Sequence, residues 1–150
     1  MNKRVLLAID LEMPDSRAAS YAVQLAARLT LSLMLIAVLP PPSGQAGEAG
    51  DICLSGLREE QSLWLGKVRE RCQQERVSLE IFLAAGAFCE EVPAFAQAQS
   101  ALQFMVLGWP DERRQRYPDC KAALLGLRQH IDGEILLVRS QGQVTRLTDL

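Results

Sequence analysis

Arg4-Val5-Leu6-Leu7-Ala8-Ile9-Asp10 is a continuous apolar run of strand length that closes on a carboxylate. A strand with one face in water alternates apolar and polar residues. An unbroken run of this length predicts instead a parallel strand covered on both faces. Pro14-Asp15-Ser16 then offers a helix start, and Ala18, Ala22, Leu25, Ala26 and Leu29 recur at offsets of four, seven, eight and eleven, the spacing of an amphipathic helix.

The same alternation continues along the chain. Leu31 to Leu39 is a second apolar run, closed by Pro40-Pro41-Pro42. A stretch of Gly, Pro, Ser and Ala follows and predicts a flexible surface loop over about 40–52. Leu57, Trp64, Leu65, Val68 and Cys72 fall on one side of a long helix whose other side is charged. Val77 to Leu83 alternates before turning apolar and predicts a strand at an edge of the sheet, ending near Gly86. Cys89, Val92 and Ala96 mark a short helix, and Leu102 to Leu107 is a further buried strand ending at Gly108. Pro118-Asp119 can open a helix with Ala123, Leu124, Leu127 and Ile131 on its apolar side, ended by Gly133. Glu134 to Arg139 is the fifth strand, and the tail 140–150 is polar and expected to be loosely held.

At 150 residues, with 49% apolar and 23% charged residues, the composition is that of one globular domain over residues 1–150. Strands alternating with helices predict an α/β fold: a doubly wound, Rossmann-like, five-stranded parallel sheet in the order 3-2-1-4-5, with helices on both faces. Such a sheet opens a crevice where its winding reverses, here at the ends of the strands that carry Asp10 and Gly108.

A net charge of -2 supplies no concentrated basic surface, so no nucleic acid partner is expected. The longest apolar stretch, Leu31 to Pro42, is too short to cross a bilayer, and the run after Lys3-Arg4 lacks a cleavage pattern. A cytoplasmic protein without membrane insertion is expected. Cys53, Cys72, Cys89 and Cys120 are widely spaced beside a single histidine, His130, which excludes zinc-ligand spacing and predicts reduced thiols.

Val5-Leu6-Leu7-Ala8-Ile9-Asp10, Ser16-Arg17-Ala18, Phe104-Met105-Val106-Leu107-Gly108 and Ile135-Leu136-Leu137-Val138-Arg139 together resemble the universal stress proteins over nearly the whole chain. The resemblance implies a stress-response role, a homodimer whose last strands meet antiparallel, and a pocket for ATP or AMP. Nucleotide-binding members carry Gly-x-x-Gly after strand four and Gly-Ser or Gly-Thr at the next helix, glycines that let backbone N–H groups approach phosphate. Here Gly108 is kept, but the second glycine's place falls on Asp111, and the Gly-Ser pair falls on Lys121-Ala122. By the resemblance, Asp10, Val38 and Gly108 are the remains of a nucleotide pocket with a degenerate phosphate loop. Without the resemblance, Asp10 reads as a carboxylate capping backbone N–H groups at a strand-to-helix turn, and Val38 as core.

These residues predict no cofactor and no catalytic activity. The main expectation is a non-catalytic regulatory domain that acts through its dimer, paired along Ile135–Val138, and through protein contacts. The alternative is a nucleotide- or anion-binding sensor in which Arg113, Arg114 and Arg116 grip phosphate by side chain in place of the glycine loop. Charged loops more often simply solvate a surface, and Asp111 and Glu112 can pair with these arginines. Cys120, near a helix start, is a redox candidate only in principle. His130 lies about 15 Å down the same helix at about 1.5 Å per residue, too far to serve it as a base. Glu59-Glu60 and Glu90-Glu91 point in different directions along helices and read as exposed faces.

Overall fold

The structure, a computed structural model, describes residues 3–40, 57–109 and 120–147. Its order is β1 (Arg4–Asp10), α1 (Ser16–Leu29), β2 (Ser32–Leu39), α2 (Glu59–Gln74), β3 (Leu79–Ala85), α3 (Phe88–Gln97), β4 (Leu102–Trp109), α4 (Cys120–Arg128), β5 (Glu134–Arg139) and β6 (Val144–Arg146). β1 lies between β2 and β4, parallel to both, with Asp10 opposite Val38 and Ala8 opposite Leu107.

The unbroken apolar runs have the predicted consequence, since every residue from Val5 to Asp10 is buried. Successive side chains point to opposite faces. Val5, Leu7 and Ile9 join Leu33, Leu35 and Ala37 under α1 and α2. Leu6 and Ala8 join Met34, Ile36 and Val38 under α3 and α4. Each face thereby buries a core of its own, and hydrophobic burial on both sides is what holds the sheet in the middle of the molecule. β3 is the partly exposed edge strand expected from its alternation.

Five strands in the order 3-2-1-4-5 were expected; the sheet has six, in the order β3-β2-β1-β4-β5-β6. The sixth runs antiparallel to β5, with Leu136 opposite Arg146 and Val138 opposite Val144. Gly142, at φ 84°, supplies the left-handed residue of the hairpin turn, and Arg139 N–H donates to the Gln143 carbonyl at 2.7 Å. The polar tail is therefore not loose up to residue 147. Leu147, 2% exposed, packs into the layer under α4 and anchors it. The hairpin also corrects the expected pairing surface, because the outer edge of Ile135–Val138 is already bonded to β6.

A second correction concerns sulfur. Cys89, in the first turn of α3, and Cys120, the first residue of α4, form a disulfide with a Cα–Cα distance of 5.0 Å rather than remaining reduced. Sequence spacing could not show the pairing, since the two lie 31 residues apart and meet only because both helices begin at the same end of the sheet. The loop expected over about 40–52 falls largely in residues 41–56, which lie outside the described residues, as does the Pro118-Asp119 helix start.

Candidate functional site

The carboxyl ends of β1 and β4 form the crevice of the doubly wound sheet, and Asp10 stands at its floor, 4% exposed. Its Oδ1 accepts from Glu12 N–H at 3.0 Å, and its carbonyl accepts from Met13 N–H at 3.0 Å. The short carboxylate thus folds the chain out of the strand, as Asp does in Asx turns. Val38, its register partner in β2, is 2% exposed and packs in the core under α3 and α4. Both residues therefore have structural work at the places where the resemblance puts a nucleoside.

Gly108 is held for a reason the sequence did not reveal. Asp15 caps α1, its Oδ1 accepting from Ala18 N–H at 3.0 Å, and the rest of its carboxylate lies over the Gly108 Cα. A Cβ built on Gly108 would fall on the Asp15 carboxylate. The glycine makes room for a protein carboxylate where a phosphate-binding glycine would make room for a ligand. Trp109, next along β4, is 3% exposed and turned toward α3 and α4. Its indole N–H finds no acceptor among the described residues.

Helices are tied down beside the crevice on both faces. Gln61 of α2 is 4% exposed, accepts from Arg58 N–H at 2.9 Å and donates to the Leu11 carbonyl at 3.0 Å. One side chain so caps its own helix and binds that helix to the end of β1. A Gln three residues past a helix start is the capping signal that could have marked it. On the other face, the Cys89–Cys120 bond joins the starts of α3 and α4.

Of the sequence-predicted site residues, Asp10, Val38 and Gly108 are brought together, while Arg113, Arg114, Arg116 and Asp111 lie outside the described residues. Lys121 and Ala122 are exposed on the first turn of α4. A cavity of about 700 Å³ lies at the opposite end of the sheet, lined by Thr30, Glu75, Arg76 and their neighbours, away from all of these residues. Among the described residues, no cluster of His, Cys, Asp or Glu could hold a metal ion, and no helix is long and apolar enough to cross a membrane.

No family model and no curated protein matches the sequence. Solved structures do. A universal stress family protein from Burkholderia pseudomallei superposes with a TM-score of 0.59 at 20% identity, covering 87% of this chain and 94% of its own. The universal stress protein UspA from Lactobacillus plantarum gives a TM-score of 0.59 at 18% identity, covering 90% and 96%. The fold is that of the universal stress proteins. A third structure with the universal stress fold, solved in complex with cAMP, has a TM-score of 0.55 at 17% identity, covering 89% of this chain and 95% of its own. The universal stress fold read from strands one, four and five is thus the fold observed, with the sixth strand added to it.

Proposed function

We propose that the chain is a divergent universal stress protein, a non-catalytic domain with a stress-response or regulatory role exerted through protein contacts, whose crevice no longer takes nucleotide. The Asp15 carboxylate over Gly108 carries this reading, because it sets negative charge and bulk against the one glycine kept from the phosphate loop. An incoming phosphate would meet like charge where relatives of the nucleotide-binding kind present backbone N–H groups.

Calorimetric titration tests the reading with ATP, AMP and, because a neighbour of this fold was solved with it, cAMP. No saturable heat is expected at millimolar nucleotide. A micromolar Kd, about -8 kcal/mol, would overturn the reading, and its loss on replacing Arg113, Arg114 and Arg116 by alanine would establish the sensor in its place. A homodimer belongs to the proposal in a changed form. The edge open to a second copy is β6, with Val144 37% exposed, in place of Ile135–Val138. Sedimentation equilibrium of the full chain checks it, and a monomer throughout the micromolar range removes the dimer from the reading.

A further inference from the structure

We propose that Cys89 and Cys120 are a reversible dithiol–disulfide pair that exchanges with low-molecular-weight thiols and disulfides, and that its state sets how firmly α3 and α4 close the crevice. The inference stands apart from the function proposed above, since it concerns the chemistry of two sulfurs whatever the domain regulates.

Four observations carry it. First, a domain of 150 residues with two buried layers can keep its fold on burial alone, so the bond can open at a cost in stability without unfolding the chain, unlike the staples of small secreted domains. Second, both cysteines sit in the first turn of a helix, where backbone N–H groups favour a negative sulfur and so help it attack or leave. Third, access is unequal: Cys89 is half-buried and Cys120 is 1% exposed, so a small reagent meets Cys89 first. Fourth, the segment bearing Cys89 is soft, because Pro93 has no N–H to give to the Cys89 carbonyl four residues before it. Cys72 provides the internal contrast. It is 1% exposed in the other layer, and burial pushes its thiol up from the ordinary range, against a smaller opposing effect of Arg71.

The exchange balances as follows. The Cys89 thiolate attacks a small disulfide RSSR, forming the Cys89–SR mixed disulfide and releasing one RS⁻. The Cys120 thiolate then attacks the Cys89 sulfur, the protein disulfide forms, and the second RS⁻ departs. The two protons lost by the cysteines end on two RSH, and the two electrons lost by the protein reduce RSSR. Reduction is the reverse, with the small thiolate entering at Cys89.

The test equilibrates the full chain, in a Cys53→Ser background, in glutathione–glutathione disulfide buffers, followed by acid quench, alkylation and peptide mass spectrometry. Cys89 and Cys120 are expected to lose label together in one two-electron transition within the buffer range, while Cys72 keeps its label throughout. C120S should trap glutathione on Cys89 at least tenfold faster than C89S traps it on Cys120. Hydrogen exchange of the wild-type pair, oxidised and reduced, should show amides in the first turns of α3 and α4 exchanging at least tenfold faster after reduction, and by a larger factor than the amides of α1 and α2. A bond that stays closed in the most reducing buffer, or never forms in the most oxidising, overturns the proposal. Identical exchange in the two states overturns the part that couples sulfur to the crevice.

Discussion

The two helical layers cover the same sheet by different means. α1 and α2, of 14 and 16 residues, are long, and their side chains tie them down: Gln61 to the Leu11 carbonyl at 3.0 Å, Trp64 Nε1 to Ser16 Oγ at 3.0 Å, and Arg71 to Ser20 Oγ at 2.8 Å. α3, of 10 residues, is short and contains Pro93, and a covalent bond joins its first turn to Cys120 of α4, whose described part runs to 9 residues. Where a helix is long enough to bury a full stripe and reach polar partners, hydrogen bonds suffice to fix it. Where it is short, the cross-link does that work, and the layer acquires a dependence on redox conditions that its counterpart lacks.

Breaking the cross-link should have the largest effect. Closing a loop between cysteines 31 residues apart stabilises by about 3–4 kcal/mol on chain-entropy grounds. Urea unfolding of C89A/C120A against the oxidised wild type should show that loss, and wild type in reductant should show most of it. A difference below about 1 kcal/mol would erase the contrast between the layers. Next comes Gln61→Ala in the other layer, which removes the donor to Leu11 and the acceptor for Arg58 N–H at a cost of about 1–3 kcal/mol. That cost should be the same with and without reductant if the layers are independent. A coupling above about 0.5 kcal/mol would show that they are not. Asp15→Ala should cost about 1 kcal/mol through the lost α1 cap, read in the same titrations.

The difference between the layers also marks how far sequence carried. Backbone periodicity was legible, because Val5 to Ile9 and Leu102 to Leu107 have no polar residue facing either way that could belong to a surface strand, Gln103 excepted. That was enough for the parallel frame and for the crevice at Asp10 and Gly108. β6 was missed because Val144, Leu147 and Leu150 are the only apolar residues in a polar tail, and the burial of Leu147 depends on a hairpin that β5 must first offer. Asp15 was legible as a helix start but not as the group lying over Gly108, a contact between residues 93 positions apart that only the β1–β4 pairing creates. The Cys89–Cys120 bond was hidden for the same reason. Local pattern reports which face a residue takes, whereas which elements begin side by side is decided by the order of strands in the sheet.

The smallest effect follows from the thiol in the hydrogen-bonded layer. Burial raises Cys72 above its ordinary value of 9.0, and the nearby Arg71 charge opposes that shift without cancelling it. In the unfolded chain the thiol ionises around its ordinary value, whereas in the native chain it holds its proton to higher pH. Above about pH 9 the native state therefore binds more protons than the unfolded state, and stability falls as pH rises. The contribution is fully present below the unfolded value and is lost as pH climbs through the raised native one. Cys72→Ala should remove that slope: in paired urea titrations on either side of pH 9, wild type should lose more stability than the variant as pH rises, with tyrosines and lysines common to both cancelling in the comparison. Because the group belongs to the layer held by hydrogen bonds, the slope should be unchanged by opening the Cys89–Cys120 bond. A slope that disappears on reduction would mean that the covalent layer also governs how tightly its counterpart is packed.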